Sequence, residues 1–372
     1  MQVPRKILMG GGPTNVHPRI LSAQSLPMLG YFQEPLLAIM DEIQDGLRYL
    51  MQTESRYICL LGASGHAGME AGIANLLEPG EKIVIINQGV WGWKAAQMAR
   101  RYRGDVVEVC KEPGVACTLE ELEELLATHK PAVLFICQGE SSTGTLNDLS
   151  GLGQACHQHN TLLLVDAVCS IAGSPLFTDA WDIDCLYAGA QKCLSAPPGA
   201  TPFMMSERAI HKLQNRRQPV ACYLFDMELN GRYWNWWQER SVHNTGLITN
   251  WYAMREALAI VADEGLAAVW QRHSDMHHML WQGLGQLGLQ PLVKDPAHRL
   301  PCVNAIQVPP GVDARAVIDY AMKTYSLEIA TGLPPLNTAI WRIGLLGYNA
   351  APHNVALVTT AFREALQEQG YA

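Results

Sequence analysis

The sequence predicts an α/β fold: a large domain with a mostly parallel sheet flanked by helices, then a smaller C-terminal α+β domain. Three observations carry this reading. The apolar runs KIVIIN, AVLFICQ and TLLLVDAV are continuous rather than alternating, as strands covered on both faces require. Segments of helical period separate them in turn. After about Leu266 this alternation gives way to a long amphipathic stretch and isolated strands. The expected division is an N-terminal arm over 1–20, a large domain over 21–265 and a small domain over 266–372.

Taken in order, residues 1–20 read as an irregular arm. A helix is expected from about Pro35 to Met51, where Leu36, Leu37, Ile39, Met40, Ile43, Leu47 and Leu50 keep close to the helical period. ICLLG follows as a strand, then a helix over about Gly68–Leu77, the strand Lys82–Asn87, a helix over Trp93–Arg103 and the strand Asp105–Cys110. Thr118, with Glu121 three residues on, makes a capping-box pattern that starts a helix over Thr118–Thr128. AVLFICQ leads through the loop GESSTGT to a helix from about Leu149 to His159, and TLLLVDAV is the next strand. In the small domain the stretch Leu266–Leu287 precedes strand candidates NAIQVPP and LEIATG. A helix over Asp313–Thr324 and a last one over Pro352–Glu368 complete it. Trp234, Trp236 and Trp237 cluster, as a packed surface or a subunit contact would.

Composition narrows the function. With 48% apolar and 17% charged residues, 372 residues can bury a sizeable core. A net charge of −8 without a basic run disfavours nucleic-acid binding. No uncharged apolar run approaches the roughly 20 residues that span a bilayer. The N-terminus is too short and too Gly/Pro-rich for a signal peptide, and the C-terminus carries no peroxisomal or retention tripeptide. Ten scattered cysteines without a CxxC pair suit a reducing compartment, so a cytoplasmic location is expected. Cys156-His157-Gln158-His159 does not converge on one helix face, so no metal is expected there.

Chemistry concentrates at strand ends. Asp166 closes Leu162-Leu163-Leu164-Val165, at the carboxyl end of a buried parallel strand, where ligands of open α/β sheets bind; a helix cap or turn is the plainer alternative. Lys192 follows another strand candidate, IDCLYAGA, and two successive strands can aim an acid and a lysine at one crevice. A lysine amine forms a Schiff base with a carbonyl when its pKa is lowered. Pyridoxal phosphate needs such a lysine, an acid for its ring nitrogen and a phosphate site. GASGHAGMEAG offers the last, with the amides of Ser64, Gly65 and His66 at a helix N-terminus; a ligand-free tight turn has the same pattern. Trp91, after KIVIIN and before a helix, could lie flat on a pyridine ring, while Trp93 is the better core candidate. Arg342, in the apolar run AIWRIGLLG, needs an anion: a buried carboxylate of the chain or that of a substrate.

Together the segments GGGPTN, IMDEIQDGLRYLMQTE, SGHAGMEA, GVWG, GESSTGTL, LLLVDAV, GAQKCLSAPPG, VKDPAHRLP and WRIGLLGYN resemble the class V, fold-type I aminotransferases almost end to end. More narrowly they are similar to the alanine–glyoxylate/serine–pyruvate branch and the related 3-hydroxykynurenine transaminases. The resemblance implies a pyridoxal phosphate bonded to Lys192, with Asp166 on the ring nitrogen, Trp91 on one ring face and Val168 on the other. It implies a phosphate held by Ser64, Gly65, His66 and Gln191, and by Thr245 of a partner subunit in a homodimer. It places Ser142 and Arg342 on the substrate carboxylate, with Ser142 also at the cofactor and Gly30 and Tyr31 on the substrate side. The implied reaction moves an amino group from alanine or serine to glyoxylate or pyruvate.

Some positions depart from the family pattern. Val242 stands where relatives carry a tyrosine, Ala190 where serine is common, and Thr331-Gly332-Leu333-Pro334-Pro335 replaces Gly-Gly-Leu-Gly-Pro. These leave open a bulkier or ureido-bearing donor, such as 3-hydroxykynurenine or ureidoglycine, or a lyase or racemase on the same cofactor.

Overall fold

The computed structural model describes residues 2–371. The N-terminal part comprises β1 (Ile7–Leu8), α1 (Pro18–Gln24), α2 (Glu34–Met51), β2 (Ile58–Leu61), α3 (Gly65–Leu76), β3 (Lys82–Asn87), α4 (Val90–Arg101), β4 (Asp105–Cys110) and α5 (Leu119–His129). The middle holds β5 (Val133–Cys137), the short β6 (Gly139–Glu140) and β7 (Thr145–Leu146), α6 (Leu152–Gln158), β8 (Leu162–Asp166), β9 (Cys185–Tyr187), β10 (Thr201–Met205), α7 (Glu207–Gln214), α8 (Met227–Tyr233) and α9 (Ile248–Glu264). The remainder is α10 (Leu266–Gln286), β11 (Val303–Gln307), α11 (Ala314–Tyr325), β12 (Leu327–Glu328), β13 (Ala330–Thr331), β14 (Ile340–Gly344) and α12 (Pro352–Glu368).

Seven strands form the main sheet in the order β2-β10-β9-β8-β5-β3-β4. Only β10 runs against its neighbours, so the sheet is mostly parallel. From β3 the chain steps outward to β4, then returns to the other side of β3 for β5. That reversal opens a crevice at the strand carboxyl ends, the ordinary ligand position of such sheets. A smaller antiparallel sheet, β11-β14-β13, carries Arg342 in its central strand.

Helix α3 explains how a backbone end reaches the crevice. Cβ atoms built on Gly65, Gly68 and Gly72 would stand 2.6 Å from Val168 Cγ2, Tyr187 Cγ and Leu164 Cδ1. Such distances are too short for any side chain, so this glycine stripe lets the helix lie directly on β8 and β9. Two apolar cores result, one around the main sheet and one joining α11, α12, the second half of α10 and the small sheet. Leu266 and Val269 belong to the first and Leu280 and Leu284 to the second, so α10 ties the two together.

Several elements differ from expectation. The arm is not irregular throughout: Ile7 and Leu8 pair in parallel with Leu327 and Glu328, and Pro18–Gln24 is helical. Pairing supplies hydrogen bonds that no pattern within the arm announces. LEIATG is two strands in two sheets, because β12 pairs with β1 and β13 with β14. Helices α3 and α4 begin three residues earlier than their patterns indicate, which puts Trp91 inside the first turn of α4. Trp93 is 50% exposed, whereas Trp91 packs partly against the core. Trp234 and Trp236 are buried, not a surface cluster; Trp236 Nε1 donates to the Ile58 carbonyl at 3.1 Å. His157 pairs with Asp184 at 3.2 Å, and no cluster of three potential metal ligands occurs among the described residues. No described helix is long and apolar enough to cross a membrane.

Candidate active site

A cavity of about 290 Å³ lies in the crevice, lined by the end of β8, the starts of α3 and α4, β6 and the turn after it, the loop after β9, the arm, Leu333 and β14. Asp166 ends β8 there, and β9 lies beside β8 with Tyr187 in register opposite it. The Tyr187 hydroxyl donates to Asp166 Oδ2 at 2.7 Å and the Val168 N–H to Oδ1 at 2.8 Å. Burial pushes the Asp166 carboxyl up from 3.8 to about 6, against the pull of these two donors and of the Lys192 charge. A cation placed beside it would bring it down again.

Lys192 follows β9 and is 7% exposed. Its Nζ donates to the Gly11 carbonyl, and the Thr14 N–H bonds the Gln191 carbonyl at 3.1 Å, so the arm closes over the lysine loop. A nearly buried amine with a single carbonyl partner is under-satisfied, which suits a group that bonds to a ligand.

The start of α3 forms an anion cradle. Ser64 is the N-cap residue, yet its hydroxyl makes no capping bond, leaving it free for a ligand together with the orphan amides of the first turn. Gln191 has a buried amide oxygen with no partner. His66 lies edge-on to Trp91, ring centroids 5.5 Å apart, and its Nε2 is 3.1 Å from Lys94 Nζ. Burial and the Lys94 charge lower the His66 pKa, favouring the neutral ring.

Arg342 is 8% exposed. Its Nε donates to the Thr331 carbonyl at 2.9 Å and a terminal nitrogen to the Ser141 carbonyl at 3.3 Å. No acid pairs with it among the described residues. Of the two readings open to the sequence, the structural ion pair is therefore the one the chain does not form.

The cavity gathers Ser64, Gly65, His66, Trp91, Asp166, Val168, Gln191, Lys192 and Arg342. Ser142 does not line it. Its hydroxyl donates to Glu140 Oε1 at 2.6 Å and accepts the Val90 N–H at 3.0 Å, so it faces away. The neighbouring Ser141 lines the cavity instead, accepting Trp91 Nε1–H at 2.7 Å. Two adjacent serines in a turn point in different directions, and the sequence does not say which faces in. Tyr187 and Glu140 were also missed; the signal for Tyr187 was its place at the end of the strand beside that of Asp166. Gly30, Tyr31 and Thr245 lie outside the cavity of their own chain, with the Tyr31 hydroxyl donating to Thr245 Oγ1 at 3.2 Å.

Residues 23–343 match the family model for aminotransferase class V. The chain belongs to the class-V aminotransferases. It is 41% identical to the alanine–glyoxylate aminotransferase of Mus musculus over 99% of this chain and 89% of that one. It is 32% identical to the (S)-ureidoglycine–glyoxylate transaminase of Bacillus subtilis over 98% of this chain and 91% of that one. The crystal structure of an alanine–glyoxylate aminotransferase from Nostoc sp. superposes with a TM-score of 0.96 at 42% identity, covering 98% of this chain and 96% of that one. Pyridoxal phosphate is the cofactor of this aminotransferase, and the cavity fits it on chemical grounds. The orphan N–H groups of the first turn of α3 and the uncommitted Ser64 hydroxyl suit a phosphate, a buried carboxylate suits a ring cation, and a buried lysine suits an aldehyde.

Proposed function

We propose that this aminotransferase moves an amino group from a small amino acid, alanine or serine, to glyoxylate or pyruvate. One observation carries the substrate class: Arg342 is a buried guanidinium with no acid partner among the described residues, opening on the cavity that holds Lys192. A planar fork so placed recognises a carboxylate bidentately, and donor and acceptor each carry one.

In this reading Lys192 holds the cofactor covalently. Ser64, Gly65, His66 and Gln191 bind its phosphate, Trp91 and Val168 pack on its ring, and Asp166 accepts the ring N–H. Pyridoxal phosphate, when bound, supplies an aldehyde that captures amines and a ring that takes up an electron pair. The chain supplies the rest. Arg342 and Ser141 fix the substrate carboxylate, which aims the donor's Cα–H at the lysine loop. Lys192 Nζ is the group that would take the donor's Cα proton as a general base and return a proton as a general acid. Ionised Asp166 keeps the ring nitrogen protonated.

We read the working unit as a cytoplasmic homodimer. Gly30, Tyr31 and Thr245 lie off their own cavity, in a region where Leu26, Met28, Phe32, Tyr223, Leu224 and Leu247 are exposed. So much uncovered apolar surface supports a subunit contact there. The free cysteines, mostly buried, support a reducing compartment.

Borohydride reduction of the holoenzyme and peptide mapping test the lysine: the label belongs on Lys192, and a label on another lysine rejects it. Alanine alone should then convert the absorption of the lysine-bound cofactor to that of its aminated form; release of ammonia and pyruvate from serine in place of that conversion would mean a lyase. A donor panel against glyoxylate and pyruvate decides the substrate, and preference for a ureido or kynurenine donor would displace alanine and serine.

A further inference from the structure

Helix α4 begins at Val90, and its N-cap residue, Gly89, has no side chain to satisfy the first amides. A carboxylate from another segment does so. Glu140, fully buried at the end of β6, accepts the Trp91 N–H on Oε2 at 3.1 Å. Its Oε1 accepts both the N–H and the hydroxyl of Ser142, at 2.9 and 2.6 Å, and the Ser142 oxygen in turn accepts the Val90 N–H at 3.0 Å. The same turn carries Ser141, whose hydroxyl holds Trp91 Nε1 and whose carbonyl holds Arg342.

We propose that Glu140 is a positioning residue: one buried carboxylate that sets both the Trp91 wall of the cofactor site and, through the Ser141 turn, the Arg342 end of the substrate site. The helix dipole favours an anion there, which makes the contact charge-assisted. Gly89 makes room for it. A Cβ at that position would stand 2.2 Å from Ser142 Oγ and 2.8 Å from Glu140 Cδ, while the backbone is extended, so an alanine is opposed by these two side chains and not by backbone strain. Burial pushes the Glu140 carboxyl up to about 7, against the pull of the Ser142 and Trp91 donors, with the charge of Asp166 adding to the rise. An acid held at such cost to its charged form, outside the reacting centre, is not a solvated bystander.

The proposal rests on the reading of Lys192 as the cofactor lysine, which borohydride labelling tests separately. Glu140→Gln puts an NH2 group against an N–H donor at one of the two oxygens. Titration of the cofactor-free enzyme with pyridoxal phosphate, followed by absorbance, should show the dissociation constant rising roughly 10- to 100-fold. The donor's KM should rise more than kcat falls. Ser142→Ala and Gly89→Ala should move both quantities in the same direction by several-fold, and they carry the test if Glu140→Gln does not fold. A folded Glu140→Gln enzyme with cofactor affinity and donor KM within twofold of wild type overturns the role. So does a loss of thermal stability in all three variants with both constants unchanged, since that is scaffolding alone.

Discussion

Asp166→Asn should stabilise the cofactor-free protein while abolishing its grip on the cofactor. The folded carboxyl titrates near 6 instead of 3.8, a gap of about two pH units, because it is buried. At about 1.36 kcal/mol per unit this is about 3 kcal/mol. The sign follows from the direction. A group whose pKa is raised by folding contributes stability that is complete below 3.8 and is lost as pH rises through about 6. Wild-type apoprotein therefore carries the cost in full at pH 8. Asparagine has the same shape and no charge, and its amide can still meet the Tyr187 hydroxyl and the Val168 N–H. For 372 residues the unfolding entropy is about 0.8 kcal/mol/K, so the gain corresponds to about 4 °C in Tm. Calorimetry of both apoproteins from pH 4 to 8 reads it. The Asn variant should lead at pH 8 and converge on wild type near pH 4, and loss of the Asp166 charge also eases ionisation of Glu140, which acts in the same direction. Added pyridoxal phosphate should raise the Tm of wild type only, because its ring cation restores the favoured charged carboxylate. Equal Tm values for the two apoproteins at pH 8 would refute the account of Asp166 as a carboxylate strained by burial.

Other expectations concern the substrate end and the assembly. Arg342→Ala should raise the donor's KM about 100-fold or more while leaving cofactor affinity within a few-fold, since the lost contact is a charge-assisted one to the substrate; the reverse pattern rejects the role. Ser141→Ala should impair donor binding more than Ser142→Val, measured at equal cofactor saturation, only if the inward serine is the one that matters; greater loss at 142 would show that the turn's packing dominates. Mixed dimers of Lys192→Ala and Thr245→Ala chains should contain one site per dimer with wild-type cofactor affinity if Thr245 acts across subunits. If the one site that retains Lys192 keeps the weakened affinity of Thr245→Ala, the threonine serves its own chain.

The amino-acid sequence by itself determined the layered architecture, because continuous apolar runs and helical periods are local patterns. It also pointed to two candidates that the fold brings into one cavity. Asp166 is recognisable because a lone acid closes an apolar strand, and Lys192 because a lysine after a strand stands among small residues. Tertiary structure decided what depends on segments far apart. Which of two adjacent serines faces the cavity was decided by Glu140 and the first turn of α4, some 50 residues away in sequence. Trp91 lines the site and Trp93 faces outward because α4 starts earlier than its apolar period shows, on amides capped by another segment. The arm became a strand through pairing with β12, more than 300 residues further on. Arg342 illustrates both levels. Its run announced a buried cation in need of an anion, and only the packing showed that its partners among the described residues are carbonyls, not acids.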